Sequence, residues 1–121
     1  MRVPIQLTRK PIYLTATGAQ DIKDVLEVAS LRQLDLGLTA YNLTGGGNFT
    51  VEIETSMQNE LANAELWTSI ATFATITGTT PASKPVSVSA KVLKYIRWNV
   101  TSLTGTTPTV TFFIEGFGLP D

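Results

Sequence analysis

The chain repeats itself. Leu34-Asp35-Leu36-Gly37-Leu38-Thr39-Ala40-Tyr41-Asn42-Leu43-Thr44-Gly45, continuing through Thr50-Val51-Glu52-Ile53-Glu54, is echoed by Lys94-Tyr95-Ile96-Arg97-Trp98-Asn99-Val100-Thr101-Ser102-Leu103-Thr104-Gly105, continuing through Thr109-Val110-Thr111-Phe112-Phe113-Ile114-Glu115. Leu36 aligns with Ile96, Leu38 with Trp98, Ala40 with Val100, and one Leu-Thr-Gly with the other. Each copy alternates apolar and polar residues, breaks at glycine, and alternates again. Period-two alternation on both sides of a Gly-rich break predicts a β-hairpin. Gly45-Gly46-Gly47 would be the tip of the first, since three glycines supply positive φ freely. Two similar hairpins in 121 residues predict a pseudo-symmetric all-β domain.

The remaining segments fit that class. Ile12 to Thr17, Leu66 to Phe73 and Val86 to Ala90 read as further strands, and Gly78 to Pro85 as a loop. Ala19 to Ser30 fits either a short amphipathic helix or a strand at Val25-Leu26-Glu27-Val28, and the all-β context favours the strand. Ser56 to Ala64 reads as a polar connection with room for a helical turn. About eight strands with regular turn signals predict an antiparallel two-sheet sandwich, jelly-roll-like, over residues 19–121. An immunoglobulin-like sandwich, with Trp98 as its core tryptophan, is the alternative. Leu36, Leu38, Phe49 or Val51, Trp98, Val100, Phe112 and Ile114 are the expected core. Residues 1–18 read as an extended N-terminal arm in which Val3, Ile5 and Leu7 alternate with Pro4, Gln6 and Thr8. Pro4 and Pro11 forbid a central strand and favour an edge or a free arm. Removing residues 1–10 would then leave the sandwich folded.

Composition removes most chemistry. The chain has no histidine and no cysteine, so the commonest general base, zinc ligand and thiol nucleophile are missing. Charged residues make up 16%, against the usual quarter, and threonine fills about one position in six. A net charge of -1 with scattered Lys and Arg does not suit nucleic acid, which requires a basic stripe. No segment approaches a membrane-spanning helix, and Met1 to Gln6 lacks the apolar run of a signal peptide, so a cytosolic site of synthesis is expected.

The polar motifs have plain readings. Glu52 and Glu54 share a strand face and could serve as paired carboxylates, but they fall opposite Phe49, Val51 and Ile53, on the expected solvent face. Asp21 and Asp24 lack the spacing of a calcium loop, and Gly45-Gly46-Gly47 lacks the Lys-Ser/Thr of a phosphate loop. Asn42, Asn48 and Asn99 each open a glycosylation pattern, of which a Thr-rich chain supplies about one by chance, and without a signal peptide the matches mean little. No catalytic residue, metal ligand or cofactor is expected. What remains are interface candidates. Tyr41, Tyr95 and Arg97 fall on the face opposite the core positions, and Val3, Ile5, Leu7, Arg9 and Lys10 lie on the arm.

The short length, the arm, the Thr/Gly-rich repeats, Glu54-Thr55-Ser56-Met57-Gln58-Asn59 and Tyr95-Ile96-Arg97-Trp98-Asn99-Val100 together resemble the small all-β decoration, or cement, proteins that coat tailed-bacteriophage capsids. The resemblance implies a non-enzymatic virion protein on the outer capsid surface, made in the host cytoplasm. It implies a homo-oligomer, dimer or trimer, that binds the major capsid protein and bridges neighbouring capsomers, with the arm making contacts. A carbohydrate-binding module, or a receptor-binding sandwich of a virion fibre, is the competing expectation, because such folds also carry surface aromatics.

Overall fold

A computed structural model describes residues 2–21, 24–28, 31–57, 66–78, 81–89 and 92–120. The helical turn considered between Ser56 and Ala64 lies largely outside them. The strands are β1 (Val3–Gln6), β2 (Ile12–Leu14), β3 (Gly18–Ala19), β4 (Leu26–Glu27), β5 (Leu31–Ser56), β6 (Thr68–Thr72), β7 (Ile76–Thr77), β8 (Ala82–Val88) and β9 (Tyr95–Pro120). All pair antiparallel in one sheet that curls into a half-barrel. The all-β expectation holds, including the strand at Leu26–Glu27. The expected loop ends early, because β8 begins at Ala82.

The expected hairpins do not form. Each repeat copy, apart from Lys94, lies within a single 26-residue strand, and the two strands pair with each other. The register runs from Leu31 opposite Pro120 to Ser56 opposite Tyr95. Local alternation is the same for both arrangements, since a strand does not record which partner satisfies its ladder. In the observed pairing each long strand keeps one outer edge, which β6, β7 and β8 cover on β5 and β1 to β4 cover on β9.

The two Leu-Thr-Gly motifs meet at the middle of this ribbon, and there it bends. Gly46 lies opposite Gly105, the register shifts several times between Tyr41 and Phe49, and Asn42, Gly45, Gly46, Gly105 and Thr107 all have positive φ. The motif threonines bridge the break reciprocally. Thr44 Oγ1 accepts the Thr109 N–H at 3.1 Å, and Thr104 Oγ1 accepts the Asn48 N–H at 2.8 Å. Gly47 belongs to the same joint, since a Cβ there would fall on the Thr104 carbonyl. Gly47→Ala is therefore expected to lower the thermal midpoint sharply, and an unchanged melting curve would show that the joint has slack.

Bending folds the ribbon on itself. The pairs Ala40–Phe112 and Phe49–Leu103 would lie about 30 Å apart on a straight ribbon at roughly 3.3 Å per residue. Instead the Phe49 and Phe112 rings sit 5.3 Å apart, and Trp98 meets Phe112 edge-on at 5.2 Å. Leu34, Leu36, Leu38, Ala40, Phe49, Val51, Ile53, Ile96, Trp98, Val100, Val110, Phe112 and Ile114 form the buried interior. Every expected core position is buried, with both Phe49 and Val51 inside.

The flanking strands follow the same pseudo-symmetry. Leu36 pairs with Val86 of β8, and Ile96 pairs with Leu26 of β4; Asp35 pairs with Ser87, and Tyr95 with Glu27. One shift of about 60 residues relates the members of each couple, so the duplication reaches beyond the two long strands.

Residues 3–6 are not a free arm. They form β1, an edge strand on β9 with Val3 opposite Gly118 and Gln6 opposite Glu115. Ile5 and Leu7 are 6% and 2% exposed and belong to the core. Removing residues 1–10 would strip both from the interior and is now expected to destabilise the domain. Pro4 is accommodated because β1 pairs on one side only.

Candidate interaction surface

Of the eight interface candidates, Ile5, Leu7 and Arg97 are buried in this chain's own structure. Val3, Tyr41 and Tyr95 are half-buried, and Arg9 and Lys10 are exposed. Tyr95 lies under Lys94, whose Nζ is 5.4 Å from its ring centroid.

Arg97 points away from the core, as alternation requires, yet it is 4% exposed. Glu54 stands directly across the ladder, and Arg97 Nε donates to Glu54 Oε1 at 2.7 Å. The Trp67 ring lies over the guanidinium, 4.3 Å from Cζ to the centroid. This lid excludes water from an ion pair that the strand pattern places on the outside. It also corrects the expectation for Glu54, which is 8% exposed rather than solvated. Glu52 is half-buried and accepts from Asn99 Nδ2 at 3.3 Å.

The outer face at the other end of the ribbon is open. Tyr13 on β2, Thr111 on β9 and Tyr41 on β5 form one row across three strands. Phe113 stacks against Tyr41 at 6.0 Å with a tilted geometry. Two residues further along β9, Glu115 is opposite Gly37; beyond it Phe117 is opposite Asp35 on one side and Pro4 on the other. Tyr13 is 62% exposed and Phe117 48%, among the largest exposed apolar side chains described. Arg2 lies over Phe117, its Cζ 5.7 Å from the ring centroid. Sequence reasoning passed over Tyr13, Phe113 and Phe117. Alternation from Phe112 and Ile114 would have placed Phe113 outside, but nothing local shows that three strands bring these aromatics together.

A trough of about 770 Å³ runs beside Phe117, lined by Pro4, Gln6, Asp35, Gly37, Thr39 and Glu115 among others. Asp35 is held by Ser87 Oγ at 2.6 Å and by Gln33 Nε2 at 3.2 Å and 3.3 Å to its two oxygens. The Ser87 hydrogen bond, with that of Gln33 behind it, keeps the carboxyl below its ordinary pKa of 3.8. Because the folded value lies below the unfolded one, these bonds contribute stability at neutral pH that is lost as the pH falls through the carboxylate range. Ser87→Ala is expected to raise the Asp35 midpoint in an NMR titration. A midpoint that stays put would assign the shift to other groups.

A second cavity, about 540 Å³, opens between the stretch from Leu7 to Leu14, the residues Ala19, Gln20, Asp21 and Asp24, and Trp98. Gln20 crosses it as a buried staple. Its Nε2 donates to the carbonyls of Leu7 and Asp24, and its Oε1 accepts the Trp98 N–H at 3.2 Å. Gln20 had no signal in the sequence, since its role depends on partners far along the chain. The Asp24 N–H donates to the Asp21 carbonyl at 2.9 Å, which makes the pair a tight turn.

Among the described residues no group of three or more His, Cys, Asp or Glu could hold a metal ion, and no helix is long and apolar enough to cross a membrane. No protein-family model matches the chain, and no curated protein sequence is significantly similar to it.

Proposed function

We propose that this protein is a structural, non-enzymatic component of a virion. In this reading it decorates the outer surface of a phage capsid as a homo-oligomer, binds the major capsid protein and bridges neighbouring capsomers. The two halves of the folded ribbon are then the two layers of a jelly-roll-like sandwich. The observation that carries the reading is the outer face of β2, β9 and β5, where Tyr13, Tyr41, Phe113 and Phe117 stand exposed or half-exposed on one rigid sheet. Exposed aromatics on a preorganised surface favour protein contacts, since they bury much area for little lost side-chain freedom. Weak contacts of this kind, repeated around a symmetric shell, add up by avidity and require no active site. The contact surface so defined replaces the arm, whose apolar residues face inward.

The reading is tested by the mass of the protein in solution, followed by co-sedimentation with capsids that lack it. Tyr13→Ser with Phe117→Ser is expected to leave the melting temperature near that of the wild type and to reduce occupancy on capsids. Undiminished occupancy would remove this face from the contact.

A glycan-binding role is the second reading, favoured by Asp35 and Glu115 standing on the same face as the aromatics. Tight binding of soluble glycans, with indifference to capsids, would select it.

A further inference from the structure

The duplication sets two equivalent cross-strand positions side by side for comparison. Leu36 and Leu38 align with Ile96 and Trp98, so Gly37 stands where Arg97 stands in the other copy. Both face a glutamate across the ladder: Arg97 faces Glu54, and Gly37 faces Glu115. At the first position the guanidinium is present, ion-paired at 2.7 Å and covered by the Trp67 ring. At the second there is no side chain, and the trough occupies its place. The Glu115 side chain is exposed and has no hydrogen bond or ion pair among the described residues. Asp35, the diagonal neighbour of Glu115 on the same face, adds a second carboxylate. Phe117 supplies an aromatic wall, as Trp67 does at the closed position.

We infer that this trough is a receptor for an arginine side chain presented by a partner protein, which completes in trans the arginine–glutamate–aromatic arrangement that Arg97 completes within the chain. The inference rests on the reading of the protein as an assembly module and names the chemistry by which it would grip its partner. A guanidinium suits the site better than an ammonium. It is planar, it can bond to two carboxylates at once, and it stacks on an aromatic face. The cation already nearby leaves Glu115 open: Arg2 lies over Phe117 and acts on Asp35 through space, but among the described residues it makes no ion pair with Asp35 or Glu115. The backbone at Gly37 also leaves room. An added Cβ would meet only the Glu115 carbonyl oxygen, at an ordinary 3.8 Å.

That last feature supplies the test. Backbone amide NMR of the full chain is recorded while a capped Gly-Arg-Gly peptide is titrated to millimolar concentration, with the lysine and citrulline peptides alongside. Shift changes are expected at Gly37, Glu115, Gly116 and Phe117, with binding about tenfold weaker for the citrulline peptide and for Glu115→Gln. Gly37→Arg is expected to fold, fill its own trough as Arg97 does, and lose the response, whereas Gly37→Ala keeps it. The inference is overturned if the arginine peptide causes no shifts, if citrulline serves as well, or if Glu115→Gln binds undiminished. Two further results would overturn the occupant: self-association of the wild type that Glu115→Gln abolishes, which makes it a second copy, or glycan shifts at these residues without arginine shifts. None of these measurements involves a capsid, so they stand or fall separately from the co-sedimentation result.

Discussion

Arg97→Ala is expected to destabilise the protein by about 3–5 kcal/mol, although Arg97 sits on the strand face that alternation assigns to solvent. The side chains of Arg97 and Glu54 are 5% and 11% exposed, so the pair has been taken out of water. Removing the guanidinium leaves the Glu54 carboxylate enclosed without its cation and takes away the surface on which Trp67 rests. The size of that effect does not measure the worth of the intact pair. Replacing both partners at once, Arg97→Met with Glu54→Leu, is expected to recover most of the loss, because desolvating two charges offsets much of their attraction. Urea unfolding of Arg97→Met, of Glu54→Leu and of the double variant distinguishes these cases. Full additivity of the single losses in the double variant would show that the two groups act independently. Arg97→Lys should recover only part of the stability, since an ammonium cannot reproduce the flat stack beneath Trp67.

Trp98→Ala is expected to cost about 3–5 kcal/mol, the usual range for truncating a buried aromatic. Trp98 is 5% exposed and meets the edge of Phe112, which in turn lies 5.3 Å from Phe49. These three rings come from opposite sides of the bend, so the cavity would open where the ribbon closes on itself. Trp98→Phe keeps an aromatic in place and should lose much less. Among the described residues the Trp98 Nε1 has no hydrogen-bond partner, so the replacement sacrifices no polar contact of the indole there. A wild-type denaturation midpoint for Trp98→Ala would mean that closure does not depend on this cluster.

The fold class and the interior were legible because alternation is local. Leu36, Leu38, Phe112 and Ile114 take the buried face in any antiparallel arrangement that keeps their strands half-buried, whatever lies next to them. The partner of each strand was not legible. Gly45-Gly46-Gly47 permits a reversal, yet here it supplies the bulges and the bend of a continuous strand. Both uses need the same positive φ, and only the competition between pairings decides between them. The surface followed the same division. Alternation placed Arg97 and Glu54 outside, correctly for direction and wrongly for environment, because Trp67 arrives from a distant segment to cover them. Arm residues Ile5 and Leu7 showed their pattern but not its destination, which is a place beneath β9 in the chain's own core.

The sequence by itself determined that this chain makes strands, which of their residues are apolar on one face, and that two segments share one design. It also removed histidine and cysteine chemistry outright, since absent side chains cannot be restored by folding. Tertiary structure alone decided that the repeated segments pair with each other, that the Leu-Thr-Gly motifs meet as a joint, and that one Arg–Glu position is sealed while its counterpart at Gly37 and Glu115 stays open. The reason is one of range. Backbone torsion and side-chain alternation are settled within a few residues, whereas strand pairing, desolvation and the covering of a charge depend on groups brought together from far along the chain.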